Sequence, residues 1–327
     1  MSDAVKDLEA LALQSQKITR QYFGRTISLY APLYISNYCD NCCVYCGFNH
    51  RLPITRTCLT FEEIENECRV ISQTGIQNIL LLTGESRLYS PVDYIREAVL
   101  VARKYFPNIA LEVYPMETDE YCQLYRAGVD GVTVYQETYN REQYQLLHPA
   151  GKKRNYDYRV QTPERIAEAG IRHISLGVLL GLVPWPEDVD ALASHLSSLE
   201  KKYPGVEWAV SFPRLQKIPG ASHSYFPVSD REMLRIISTF RIRFPRIGIN
   251  LSTRESAQFR DTIFPFGITR MSAGSVTAVG GYTHEDTRHD NTQFAVNDER
   301  SLSEMKQAII VKGYDPVLTD WRNFGNE

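Results

Sequence analysis

Four cysteines crowd into eight residues of this chain, in the stretch Asn37-Tyr38-Cys39-Asp40-Asn41-Cys42-Cys43-Val44-Tyr45-Cys46-Gly47-Phe48. The other three of its 7 cysteines, Cys58, Cys68 and Cys122, stand alone. An odd count in a chain of 327 residues argues against a disulfide framework and for metal. Two groupings fit: Cys39, Cys43 and Cys46 as C-x3-C-x2-C, or all four as one site. Structural zinc normally takes four ligands in two separated pairs, and adjacent cysteines rarely both reach one tetrahedral ion without strain. Three thiolates can instead hold three irons of a [4Fe–4S] cube and leave the fourth iron open. An open iron separates a catalytic cluster from an electron-transfer cluster held by four cysteines. The spacing favours an iron–sulfur site, with structural zinc as its rival.

Something must hold that loop in place, and the flanking sequence repeats one grammar. Thr60–Thr74 ends at Gly75 before QNILLLT, Thr118–Ala127 at Gly128 before GVTVY, and Thr162–Ala169 at Gly170 before RHISLGV. A glycine just past a helix supplies the left-handed residue that ends it, and a strand follows at once. Thr60 and Glu63 form a capping box, and Pro163 occupies a first-turn position. Eight strands follow from this reading: Pro32–Asn37, Gln77–Thr83, Ile109–Tyr114, Gly131–Tyr135, Arg172–Val178, Val206–Phe212, Gly248–Leu251 and Gly267–Met271. Helical stretches such as Pro186–Lys202 and Ser229–Arg243 separate them. Short, nearly continuous apolar runs alternating with helices predict a parallel sheet. Eight units suit an α/β fold of the (β/α)8 TIM-barrel type; an open doubly wound sheet is the alternative. One domain over 1–327 is expected: a leading helix in 1–28, the barrel in 29–275, and a loop and helix (Ser301–Lys312) in a C-terminal extension, 276–327.

In such a barrel the chemistry sits at the C-terminal ends of the strands. Residues suited to chemistry recur there. The cysteine loop follows the first strand, Thr83-Gly84-Glu85 the second, and Gln136-Glu137-Thr138 the fourth. Ser211-Phe212-Pro213-Arg214 follows the sixth and Ser252-Thr253-Arg254-Glu255 the seventh.

The C-x3-C-x2-C spacing with an aromatic, Tyr45, before the last cysteine resembles the radical S-adenosylmethionine signature. The stretches PLYISNYC, CVYCGF, LLTGE, VYQETY, SFPRL and LSTRES, with a terminal GGY and DW, run in order over about residues 20 to 325. Together they resemble the tyrosine lyase family of thiamine biosynthesis. The related hydrogenase-maturation lyases carry a later cysteine motif, whereas this sequence has no cysteine after Cys122 and ends in Thr319-Asp320-Trp321-Arg322-Asn323-Phe324. That difference favours the thiamine family. The leading region is short for the family.

The resemblance implies a [4Fe–4S] cluster and S-adenosylmethionine as cofactors. Reductive cleavage would give a 5′-deoxyadenosyl radical that takes hydrogen from the amino group of L-tyrosine. Breaking the Cα–Cβ bond would then yield 2-iminoacetate (dehydroglycine) and p-cresol. Cys39, Cys43 and Cys46 would be cluster ligands and Cys42 a bystander. Tyr45 would pack on the adenine, with a plain core aromatic as the alternative. Glu85 would take the methionine ammonium, and Gln136 and Glu137 the ribose hydroxyls. Arg159 would pair with the methionine carboxylate, or else form a surface ion pair. The tyrosine carboxylate wants a fixed guanidinium. Arg254 is the leading choice, with Ser272 and Ser275 as helpers and Arg214 as the alternative clamp. Either arginine needs a negative partner, from the substrate or from Glu255. His284 and His289 fall in a late loop, 280–300, and have no ligand spacing.

Rival functions remain on the same scaffold: a hydrogenase-maturation lyase, a tryptophan lyase or a biotin-synthase-like sulfur inserter. A noncatalytic iron–sulfur electron carrier would need four cysteine ligands and no S-adenosylmethionine. A metal-free barrel lyase leaves the cysteines unexplained. A flavodoxin or ferredoxin reductant and a thiazole synthase are the expected protein partners. Lys+Arg 36 against Asp+Glu 39 gives a net charge of −3 with no basic block, so a nucleic-acid partner is not suggested. No apolar run reaches the roughly 18–20 residues of a membrane span, and the N-terminus has no signal-peptide core, so a cytoplasmic location is expected.

Overall fold

The computed structural model describes residues 3–216, 226–284 and 291–319. Eight strands run parallel in chain order: β1 Thr26–Ser36, β2 Asn78–Thr83, β3 Asn108–Glu112, β4 Gly131–Glu137, β5 His173–Val178, β6 Glu207–Ser211, β7 Gly248–Leu251 and β8 Arg270–Ser272. β1 pairs with β8 along Ser28–Tyr30 and with β2 along Ala31–Ser36, which closes the ring. The fold is therefore a closed (β/α)8 barrel, and the open-sheet alternative is excluded.

β1 begins at Thr26, well before the expected Pro32, and the leading helix ends at Phe23. The segment TISLYA alternates small or polar residues with apolar ones, which hides a strand whose two faces meet different surroundings. Ile27, Leu29, Ala31, Leu33 and Ile35 all belong to the core between barrel and helices. Ser28, Tyr30, Pro32 and Tyr34 line the cavities inside the barrel. Each fully buried aliphatic side chain on the outer face contributes about 1.5–3 kcal/mol. This outer layer supplies most of the apolar burial.

The additional length of β1 carries a ninth strand that the sequence did not suggest. β9, Asp315–Val317, pairs in parallel with Thr26–Ser28. Asn78 ties it in, its Nδ2 donating to the carbonyls of Leu29 and Leu318 at 2.9 and 2.8 Å. The expected helix starts hold: Thr60 and Glu63 form the capping box of Phe61–Gln73. Gly75, Gly128 and Gly170 take φ of 96°, 106° and 88° just past their helices. Among the described residues, no helix is long and apolar enough to cross a membrane.

Candidate active site

The cysteine loop leaves the top of β1 and is pinned from three sides. Gly84, just past β2, donates its N–H to Ser36 O at 2.8 Å. A Cβ there would lie 2.2 Å from Tyr38 O, so only glycine lets the two turns touch. Asn41 is the hub. Its Nδ2 donates to Glu85 Oε2 at 2.8 Å and its Oδ1 accepts the Lys153 N–H at 2.9 Å. Arg56 also ties the loop, donating to the carbonyls of Asn37, Phe48 and Asn49.

Burial pushes the Cys39 thiol up to about 12, followed by the charges of Glu85 and Cys46. Burial likewise raises Cys43 and Cys46, and Cys43 feels both Cys39 and Cys46. Cys42 is not among the leading influences on any of the three. The Phe48 N–H donates to Cys46 Sγ at 3.4 Å. Three neighbouring thiols whose thiolates would repel one another, with N–H donors around them, fit an iron–sulfur cluster, whose positive irons would remove the cost of ionising them. Among the described residues no His, Cys, Asp or Glu group is gathered tightly enough for a single metal ion. Thiols around a cube stand farther apart than the ligands of one ion.

Beside the loop lies a buried, charge-balanced network. Arg159 donates from Nη1 to Glu85 Oε1 at 2.9 Å and from Nε to Tyr135 O at 2.6 Å. Lys153 Nζ bonds Glu137 Oε1 at 2.7 Å and stands 3.9 Å from Glu85 Oε1. Burial pushes Glu85 upward, but Arg159 and then Lys153 outweigh it and hold the carboxyl below its ordinary range. Glu137 has φ of 71° at an irregularity in β4. This strained backbone turns its side chain into the mouth cavity. Gln136 is thereby turned the other way: it lines a small space behind the strand with Arg159 and His195, and among the described residues neither of its side-chain polar atoms has a partner. The expected ribose contact from Gln136 is not supported by that placement. Arg159 is not a free carboxylate clamp either, because each two-pronged edge of its guanidinium includes a nitrogen already committed.

Tyr45 is buried, and His148 fixes it. His148 Nδ1 lies 2.7 Å from Tyr144 O, which can only accept, so the ring proton sits on Nδ1. Nε2 then accepts from the Tyr45 hydroxyl at 2.6 Å. Burial, then Lys153, lowers His148 to about 3 and keeps it neutral. Thr138 is anchored away from the cavity, donating to Asp188 at 2.9 Å.

The far wall of the mouth carries Arg254. The Asn297 Nδ2 holds its carbonyl at 2.6 Å, and its guanidinium lies 3.5 Å over the Phe294 ring. Among the described residues Arg254 has no ion pair. Glu255 pairs instead with Arg214, which also bonds Asp230 at 2.7 Å and Val228 O at 3.1 Å. Arg214 is therefore committed, and it does not line the mouth cavity. Ser272 supports the turn, its Oγ accepting the Thr253 N–H at 3.2 Å. Ser275 Oγ is buried without a hydrogen-bond partner among the described residues, and Ser275 lines the same cavity. His284 does not line it. His289 and the terminal run 320–324 lie outside the described residues.

The mouth cavity thus brings together Tyr45, Cys46, Glu137, Arg254, Ser272 and Ser275, with Glu85 and Arg159 behind it. Sequence reasoning missed Asn41, Glu112, His148, Lys153, Gln293 and Phe294, although Asn41 lay inside the cysteine motif. A second cavity, about 880 Å³, opens at the opposite mouth and contains none of the expected site residues. The barrel's C-terminal face remains the site because the convergent polar groups are there.

Comparison with known proteins agrees. Residues 33–196 match the radical SAM superfamily, and residues 211–315 match the biotin and thiamin synthesis associated domain. The chain is 39% identical to 2-iminoacetate synthase of Salmonella typhimurium over 98% of its own length and 85% of that protein. It is 39% identical to 2-iminoacetate synthase of Escherichia coli over 97% of its length and 84% of that protein. It superimposes with a TM-score of 0.89 and 32% identity on the FeFe-hydrogenase maturase HydG of Carboxydothermus hydrogenoformans, over 96% of this chain and 72% of that one. With a three-thiol loop beside a network of ionised side chains, the chain belongs to the radical SAM superfamily and, within it, to the 2-iminoacetate synthase family.

Proposed function

We propose that the protein cleaves the Cα–Cβ bond of L-tyrosine to 2-iminoacetate and p-cresol, converting S-adenosylmethionine to 5′-deoxyadenosine and methionine. The observation that carries this reading is Arg254, a cation without an ion-pair partner among the described residues, facing the same cavity as Cys46. When bound, the [4Fe–4S] cluster and S-adenosylmethionine supply the electron and the hydrogen-atom acceptor that start the cleavage.

The chain's own residues do the rest. Cys39, Cys43 and Cys46 hold the cluster. Glu85, kept ionised by Arg159 and Lys153, accepts the methionine ammonium, and Glu137 reaches the ribose hydroxyls. Tyr45, locked by His148, presents a fixed aromatic face toward the nucleoside. Arg254 grips the tyrosine carboxylate in two parallel hydrogen bonds, with Ser272 holding its turn and Ser275 offering a further hydroxyl. Anchoring the amino acid there sets its amino group toward the cofactor, since hydrogen transfer needs atoms within roughly 3–3.5 Å. The enclosing barrel keeps water from the imine product.

A water-sensitive imine calls for a receiver, and a thiazole synthase in the same compartment fits that need. A flavodoxin or ferredoxin in the cytoplasm would supply electrons. Tyrosine cleavage in the service of hydrogenase maturation is the second reading, favoured by the likeness to HydG. The higher identity to the thiamine relatives supports the first. The test is anaerobic reconstitution with iron and sulfide, then incubation with S-adenosylmethionine, reductant and L-tyrosine. Tyrosine-dependent p-cresol is expected; S-adenosylmethionine turnover without it would refute the assignment.

A further inference from the structure

The barrel interior is unusually polar at the level of the mouth. Interiors of this fold are commonly filled by branched apolar side chains. Here Tyr30, Tyr34, Tyr135 and Glu112 share the cavity with Arg254. The Tyr34 hydroxyl is satisfied, donating to Gln293 Oε1 at 2.7 Å. Glu112 is different: no hydrogen bond to its carboxylate exists among the described residues. It ends β3, in register with Leu82 of β2, and faces the cavity.

β3 and β7 stand four strands apart in either direction around the closed ring, so they form opposite walls. Arg254 comes off the end of β7 and Glu112 off the end of β3. An eight-stranded barrel is wide enough for one small ligand between such walls. A tyrosine zwitterion gripped at its carboxylate by Arg254 extends its ring away from that wall, and the phenol is a hydrogen-bond donor at the far tip.

Resting on the tyrosine-lyase reading, we propose that Glu112 accepts a hydrogen bond from the phenol hydroxyl of the substrate and so selects tyrosine over phenylalanine. A half-buried carboxylate lining a cavity without a donor is a poorly satisfied group, and the correct substrate supplies the donor where phenylalanine cannot. Burial, followed by Glu137, holds Glu112 up to about 7, as expected of a carboxylate still lacking its donor. Arg254 across the cavity offsets part of that shift.

The test uses the reconstituted enzyme loaded with S-adenosylmethionine and compares binding of L-tyrosine and L-phenylalanine by titration calorimetry under anaerobic conditions. Parent, Glu112→Leu and Glu112→Gln are measured. The parent is expected to prefer tyrosine by more than about tenfold. In Glu112→Leu, tyrosine binding falls, phenylalanine binding holds or rises, and the preference shrinks to within roughly twofold. Glu112→Gln, whose amide oxygen can still accept, keeps an intermediate preference and serves if the Leu variant fails to fold. Equal loss of both ligands would place Glu112 on the ammonium or the cofactor and overturn the proposal, as would an unchanged preference. Failure of the parent to form p-cresol would strike the lyase reading itself; a parent that forms it beside a Leu variant of unchanged preference would strike this proposal alone.

Discussion

Glu255 closes on Arg214, accepting from its Nε with both oxygens at 3.0 Å, and so leaves its sequence neighbour Arg254 facing the cavity. From sequence, either arginine could have been the clamp and Glu255 could have served either. The pairing separates an arginine that braces the turn against Asp230 and Val228 from one left facing the cavity, which we propose takes the ligand. A buried ion pair that is already satisfied has little to gain from a substrate carboxylate, whereas a lone guanidinium gains a partner.

The cysteine assignment has a direct consequence for iron. Cys39→Ala, Cys43→Ala and Cys46→Ala are each expected to lose the cluster, while Cys42→Ala keeps it. Iron and sulfide counting with electron paramagnetic resonance on the four reconstituted variants is the check. Iron loss in Cys42→Ala equal to the others would replace the three-thiol assignment with a four-cysteine site.

Removing Arg159 leaves Glu85 with Asn41 at 2.8 Å and Lys153 at 3.9 Å. Breaking one partner of a buried pair costs about 3–5 kcal/mol, so Arg159→Met should lower the urea midpoint of the cluster-free protein markedly. Arg159→Lys should recover only part, because lysine cannot reach Tyr135 O and Glu85 together. A midpoint unchanged in Arg159→Met would show that the network contributes nothing to the fold.

The scaffold was legible because its signals are local. Glycine-ended helices, capping boxes and β-branched runs each report on a few adjacent residues, and β7 fell on Gly248–Leu251 as expected. The errors share another cause. The first six residues of β1 were left out of the expected strand, three of them within the leading helix region 1–28, because inward Ser28 and Tyr30 break the apolar run. β9 is three residues long and contains Pro316; only its register with Thr26–Ser28 makes it a strand. The site shows the same division. Cys39, Cys43, Cys46, Glu85, Glu137 and Arg254 sit at strand ends, where a barrel puts its chemistry. Gln136 was misplaced because a β4 irregularity reverses which neighbour faces inward. Lys153, Glu112 and Phe294 come from segments whose position depends on contacts far apart in the chain.

His148 makes an acid limb for stability. Its pKa falls from an ordinary 6.5 to about 3 in the folded protein, so the unfolded chain binds the extra proton first. The stability it contributes is whole above about pH 6.5 and is lost as pH drops toward 3. His148→Gln can still accept from Tyr45 and donate to Tyr144 O without titrating. Its melting temperature should therefore fall less than the parent's between pH 7 and pH 5. Parallel acid limbs in the two proteins would contradict a neutral, buried His148.

The central claim is that Arg254 anchors the amino acid whose bond is broken. The most direct measurement is the ratio of p-cresol to 5′-deoxyadenosine in Arg254→Lys against the parent, at saturating S-adenosylmethionine and over a range of L-tyrosine. Lysine keeps the charge but not the two parallel bonds, so the cluster should remain and S-adenosylmethionine cleavage should continue slowly. The ratio should fall by more than about tenfold, the equivalent of roughly 1.4 kcal/mol of lost positioning. An unchanged ratio with an unchanged tyrosine requirement would contradict the account and move the carboxylate site away from Arg254.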